Sequence, residues 1–252
     1  MRGKEISFDE DGIEQLLEDY SPSELDSQLS RVCPFFEDDT KEFTSVYGAI
    51  HRAVQSRLLV KLQIELDDLI VRGETEGEDG GRVDGLVGEC KVSLNDRRVE
   101  LRSSNGDEAR DIAVIEVKTG NVSPWQAGAY AYRWNLPVIV AETKTGDAHL
   151  VDLETAVNLL AEAVDHQRDL EALGESGREI PDCYQCRDCG NQDCEYHRDG
   201  NRRTGNSVIR DKAKVLSNID GVVEEIVSTI GEILESDGYT PVSDSGGEDQ
   251  IE

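Results

Sequence analysis

Glu116 and Lys118 stand two positions apart at the end of the apolar run Ile112-Ala113-Val114-Ile115. On a β-strand such residues project from one face. Burying a carboxylate and an ammonium at a strand end is costly unless something uses them. The pair reads as a metal ligand beside a lysine that positions water, or as an ordinary ion pair closing a strand. Asp84, in Gly81-Arg82-Val83-Asp84-Gly85, precedes the apolar Leu86-Val87. Phosphodiester hydrolysis uses a divalent cation held by hard oxygens, and Asp84 with Glu116 would supply two carboxylates from neighbouring strands. Taken alone, Asp84 reads equally as a turn residue. His51 flanks a helical stripe and reads as a satisfied core-edge residue or as an imidazole ligand for Mn2+ or Mg2+. Gln126 and Tyr130 share a helix face at i, i+4, where an amide and a phenol can both donate to phosphate oxygens. Their plainer reading is helix surface with a packed tyrosine.

The order of these motifs carries more than any one of them. Gly48-Ala49-Ile50-His51, Gly81-Arg82-Val83-Asp84, Glu116-Val117-Lys118-Thr119-Gly120 and Gln126-Ala127-Gly128-Ala129-Tyr130 follow one another along the chain. So arranged, the sequence resembles the PD-(D/E)xK superfamily, within it the RecB-like nucleases, and among those the CRISPR-associated RecB-like exonucleases. Ser21-Pro22-Ser23-Glu24-Leu25 followed by Cys33-Pro34 is similar as well, so the resemblance spans about residues 20–195. It implies a restriction-endonuclease-like fold, a central mixed sheet flanked by helices. His51, Asp84, Glu116 and the Val117 carbonyl would hold one or two Mg2+ or Mn2+ ions. Lys118 would orient the attacking water and offset charge on the phosphate, and Gln126 and Tyr130 would hold the DNA backbone. One departure is the 32-residue separation of Asp84 from Glu116, which leaves room for an extra hairpin over Glu89–Leu101.

Six cysteines occur, and Cys183, Cys186, Cys189 and Cys194 lie within twelve residues. In a reducing compartment such a cluster reads as a metal site, not as disulfides. The resemblance implies a 4Fe-4S cluster on Cys33, Cys186, Cys189 and Cys194, with Cys183 as an alternative ligand. The competing reading is Zn2+ on the four C-terminal cysteines alone. Cys90 reads as a small buried hydrophobe.

The elements that must position these groups are legible in outline. Ser21, Pro22 and Glu24 mark a helix start by N-cap, first-turn proline and capping-box acid. Phe43, Val46, Tyr47, Ile50, Val54 and Leu58 predict a helix over 42–60. Alternation at Leu62, Ile64 and Leu66 predicts a strand-rich stretch from Leu62 to Leu101, interrupted by the acidic turn Gly73–Arg82. Asp111–Lys118, Pro137–Thr143 and Ala148–Leu153 read as strands. Ser123-Pro124 opens a short helix, and another runs from Leu153 to Gly174. Ile219, Val223, Ile226, Ile230 and Ile233 stripe a long helix over about 207–235. The fold class is therefore α/β. Its expected divisions are an extension over 1–20, the nuclease core over 21–180, a cysteine-rich lobe over 181–200, a basic segment with the amphipathic helix over 201–236, and an acidic disordered tail over 237–252.

The 252 residues carry 26 basic and 54 acidic side chains, a formal charge of −28. That repels phosphates, but the apolar runs require a core and rule out wholesale disorder. Eighteen arginines against eight lysines, with acids spread throughout, suit adaptation to a salty cytoplasm. There salt screens the net charge over a few Å, and a DNA substrate stays open. Arg202 and Arg203 belong to a local basic excess over 198–214, a phosphate-tracking surface or a solvated linker. Arg97, Arg98 and Arg102 on the expected hairpin are a second such group. No apolar run spans a membrane, and MRGKEISFDEDG lacks a secretory h-region, so the expectation is a cytoplasmic protein. The leading expectation is a metal-dependent exonuclease on single-stranded DNA ends, acting with CRISPR adaptation proteins or in DNA repair. Against it stand a catalytically silent DNA-binding or cluster-carrying accessory protein and a zinc-ribbon interaction module on an inactive core.

Overall fold

The apolar run before Glu116 is the middle strand of the sheet. In the computed structural model, which describes residues 9–29, 44–67, 69–77, 81–89, 91–95, 98–102, 110–120, 124–176 and 218–236, that strand is β5 (Asp111–Lys118), buried from Ile112 to Val117. Before it come β1 (Leu69–Glu76), β2 (Arg82–Glu89) and the pair β3 (Lys91–Asn95) and β4 (Arg98–Arg102). After it come β6 (Val138–Glu142) and β7 (Asp147–Val151). The sheet runs β1-β2-β5-β6-β7, with β5 and β6 parallel and every other neighbouring pair antiparallel. β3 and β4 form a separate two-stranded hairpin, as the long gap between Asp84 and Glu116 suggested.

Helices cover both faces. On one face, α3 (Thr44–Glu65) and α6 (Ile219–Ser236) pack Val54, Leu58, Leu62, Ile226 and Ile230 against Val87, Ile115 and Val117. On the other, α4 (Pro124–Trp134) sets Ala127, Tyr130 and Ala131 against Val83, Leu86, Val114 and Val140. Outside α4 lie α1 (Glu10–Asp19), α2 (Pro22–Leu29) and α5 (Leu153–Ser176), joined by Ile13, Leu16, Leu25, Leu160 and Val164. Among the described residues no helix is long and apolar enough to cross a membrane.

Three differences from the sequence reading have physical causes. Leu62–Leu66 is not strand: α3 continues to Glu65, because Leu58, Leu62 and Leu66 extend the Val54 stripe at intervals of four. Ile64, read as an inward strand residue, is 69% exposed. The N-terminal stretch holds a real helix from Glu10, capped by the Asp9 carboxylate on the Gly12 N–H and buried through Ile13, Leu16 and Leu17. The β7 strand stops at Val151, since Leu153 already belongs to α5. The start of α2 is as read, with the Glu24 carboxylate accepting from both the Ser21 N–H (2.9 Å) and its hydroxyl (2.7 Å). The described part of the last helix is Ile219–Ser236, and its stripe faces the core.

Two glycines bring α3 onto the sheet. Gly73 and Gly85 are cross-strand partners in β1 and β2, and Leu59 of α3 lies over both. A Cβ at Gly85 would stand 2.7 Å from Leu59 Cδ2 and 3.3 Å from Ile115 Cβ; one at Gly73 would stand 3.3 Å from Leu59 Cδ1. The absent side chains form the trough that receives Leu59. Gly85→Ala is expected to cost about 1–3 kcal/mol of unfolding free energy by overpacking. In a Leu59→Ala background the same change should cost less than half as much. Urea denaturation of the four proteins reads the coupling, and equal costs in both backgrounds would refute the trough.

Candidate active site

At the end of β2 nearest α4, the antiparallel ladder with β5 stops at Gly85–Ile115. Asp84 and Glu116 occupy the next step. Beyond the last rung, the Val117 N–H donates to Asp84 Oδ2 at 2.8 Å. Backbone polarity explains why. The Val114 N–H points to β6, where it meets the Pro137 carbonyl at 2.9 Å, so alternation turns the N–H and carbonyl of Val117 toward β2. Asp84 thus replaces a main-chain partner with a carboxylate, a charge-assisted bond that fixes its rotamer. Its other oxygen, Oδ1, lies 3.4 Å from His51 Nε2. One helical turn on from His51, the Gln55 amide donates to the Asp84 carbonyl at 3.0 Å, so α3 holds Asp84 at both its main chain and its side chain.

Glu116 and Lys118 project together toward α4, as the two-residue spacing requires. Lys118 Nζ is 3.3 Å from Glu116 Oε1 and also donates to Gln126 Oε1 on α4. Gln126 Nε2 reaches the Tyr130 hydroxyl at 3.4 Å, and that hydroxyl donates to the Arg82 carbonyl at 2.7 Å. A chain of hydrogen bonds therefore runs from β2 through α4 to the lysine. On its far side, Lys118 is fixed by its carbonyl, which accepts from the N–H and the hydroxyl of Thr143, both at 3.0 Å. Burial pushes the Tyr130 phenol up to about 12, and the Glu116 carboxylate and then Asp84 add to the rise; the Gln126 hydrogen bond and Arg82 oppose it. The phenol stays protonated, and stays a donor to Arg82, throughout the neutral range.

Six of the residues singled out by sequence, His51, Asp84, Glu116, Lys118, Gln126 and Tyr130, line one cleft of about 510 Å3 together with Val117. Gln126 and Tyr130 are 8% and 4% exposed and engage protein partners, so their geometry suits holding Lys118 more than gripping a strand. Sequence reasoning missed Gln55, Thr143 and the Ser21–Ser23 wall of the cleft. The i, i+4 spacing of His51 and Gln55 was the available signal for the first; Thr143 follows only from the pairing of β5 with β6. Cys33, Cys90, Cys183, Cys186, Cys189, Cys194, Arg202 and Arg203 lie outside the described residues.

Among the described residues, no three His, Cys, Asp or Glu side chains are gathered closely enough to hold a metal ion as they stand. The donor types nonetheless fit a hard divalent cation. Neighbouring donors on an octahedral ion with bonds of ~2.1 Å lie about 3 Å apart, and His51 Nε2 and Asp84 Oδ1 are 3.4 Å apart. Glu116, 5% exposed on the adjoining strand, would join them by turning its carboxylate from Lys118. No family model, curated protein or solved structure matches this chain.

The Tyr130 environment predicts a pH effect. The folded phenol titrates near 12, against ~10 in an unfolded chain. Its contribution to stability is whole below about pH 10 and is lost as pH rises through about 12. The stability advantage of the wild type over Tyr130→Phe should therefore shrink by about 2 kcal/mol between pH ~9 and pH ~12. Urea denaturation at the two pH values measures it, and a constant difference would contradict the assignment.

Proposed function

We propose that this chain is a divalent-metal-dependent deoxyribonuclease acting on single-stranded DNA ends, with a restriction-endonuclease-like core. The observation that carries the reading is the juxtaposition of Asp84 on β2 with Glu116 and Lys118 on β5, in a cleft that also contains His51. Two carboxylates on adjoining strands and an amine two positions along are the groups that phosphodiester hydrolysis asks for. The mixed five-stranded sheet with helices on both faces agrees with the RecB-like resemblance at the level of architecture. That resemblance extends the proposal to CRISPR adaptation or DNA repair.

Asp84, Glu116 and His51 would hold one or two Mg2+ or Mn2+ ions, with the Val117 carbonyl turned to the same edge. When bound, such an ion lowers the pKa of water and offsets negative charge on the phosphate. The protein supplies the rest. Lys118, held between Glu116 Oε1 and Gln126 Oε1, orients the attacking water and directs its charge at a non-bridging phosphate oxygen. Tyr130 and Gln126 keep that amine in place, since neither can drift while the phenol donates to Arg82. Asp84 turns Oδ1 toward His51 in the cleft because Oδ2 is committed to the Val117 N–H.

A catalytically silent DNA-binding protein of the same fold is the second reading. The pairing of Glu116 with Lys118 and of Asp84 with Val117 and His51 favours it, because both carboxylates and the lysine already have protein partners. End-labelled single-stranded DNA in molar KCl, with EDTA, Mg2+ and Mn2+ arms, separates the two. The wild type should degrade the strand only with metal, and Lys118→Ala or Asp84→Ala should lower the rate by at least about 100-fold while circular dichroism shows an intact fold. Metal-independent or absent degradation by the wild type would sink the nuclease reading, and full activity in Lys118→Ala would sink the role given to the lysine.

A further inference from the structure

Arg82 lines the same cleft as Asp84 and Glu116, yet it pairs with neither. It is exposed, and no ion-pair partner for its guanidinium exists among the described residues. In a chain with 54 acids to 26 bases, an arginine two positions from one carboxylate and in the same cleft as another would ordinarily close a bidentate pair. This one does not, and its main chain is anchored at the cleft wall. Its carbonyl accepts from Tyr130 at 2.7 Å, and its main chain pairs with Glu76 of β1. Beside it, the Gly77 N–H donates to the Gly81 carbonyl at 3.0 Å. Gly77 packs on Trp134 so closely that a Cβ there would stand 3.1 Å from the indole. The side chain therefore rises from a rigid base at the cleft wall. Its charge is felt inside, because it acts on the Tyr130 phenol in the sense opposite to Glu116 and Asp84.

An exposed guanidinium fork of this kind matches two non-bridging oxygens of a phosphodiester. Lys118, the other cation among the cleft-lining residues, is already engaged by Glu116 and Gln126. We infer that Arg82 is the phosphate anchor of the cleft, gripping the backbone of single-stranded DNA beside the phosphate that faces Asp84 and Glu116. The inference rests on the nuclease reading for its ligand, and it assigns the work of gripping the strand to Arg82 in place of Gln126 and Tyr130.

Equilibrium binding of a fluorescent single-stranded oligonucleotide to the full chain, titrated in EDTA across a range of KCl concentrations, tests it without depending on hydrolysis. Arg82→Ala should weaken binding roughly tenfold and make the plot of log affinity against log salt shallower by about 0.7, the value of one phosphate contact on a single strand. Arg82→Lys should recover the slope but only part of the affinity, since it keeps the charge and loses the fork. Arg57→Ala removes the same charge from an exposed position of α3 beside Asp220, outside the cleft-lining residues; it should bind like the wild type. Wild-type affinity and slope in Arg82→Ala would overturn the inference. Equal weakening in Arg57→Ala, or no binding by the wild type, would do so too. A wild type that binds but does not cut with Mn2+ would count against the nuclease reading alone, and the Arg82 comparison would still be decided.

Discussion

Where β2 and β5 part, the Val117 N–H meets the Asp84 carboxylate at 2.8 Å, and this contact organises the cleft. One oxygen of Asp84 stitches the ladder closed while the other is left for the cleft, 3.4 Å from His51. The same residue also meets α3, which lies close to the sheet because Gly73 and Gly85 leave a trough for Leu59. With the helix seated there, Gln55 takes the Asp84 carbonyl and His51 overhangs the carboxylate. A buried-face helix, a pair of glycines and one side-chain-to-backbone bond thus fix an acidic group that would otherwise swing at a strand end.

A second arrangement does the same for the lysine. Glu116 alone would leave Lys118 with a single partner and several rotamers. Gln126 adds a second partner, and Tyr130 ties Gln126 back to the β2 strand that bears Asp84. Burial and the two carboxylates keep the phenol protonated, so this support does not titrate near neutrality. The two devices meet at β2: Arg82 gives its carbonyl to Tyr130, and Asp84 gives its carboxylate to Val117. Such restraint keeps a cation in place inside a chain of formal charge −28.

The sequence revealed the parts of the site whose logic is local. Glu116 and Lys118 share a face because strands alternate, Gln126 and Tyr130 because helices repeat, and Pro22 and Pro124 begin helices because their missing N–H costs nothing there. β5 runs over the residues read for it, Asp111–Lys118. What escaped depends on partners distant in sequence. Thr143 acquires its role only when β6 lies parallel to β5. Gly73 and Gly85 matter only once they face each other beneath Leu59. The Leu62–Leu66 segment fits a period of two and a period of four alike, and only packing on the sheet chooses the helix. Sequence shows that Gln126 and Tyr130 can donate; that Gln126 meets Lys118 and Tyr130 meets the Arg82 carbonyl emerges only when α4 packs on the sheet.

The central claim is that Asp84 and Glu116 share a divalent cation at this strand junction. Anomalous diffraction from crystals of the protein grown with Mn2+ tests it most directly. The account predicts a manganese peak about 2.0–2.6 Å from carboxylate oxygens of both residues, with the Glu116 side chain turned from Lys118. A protein saturated with Mn2+ whose Glu116 still faces Lys118, with the metal bonded elsewhere, would contradict it.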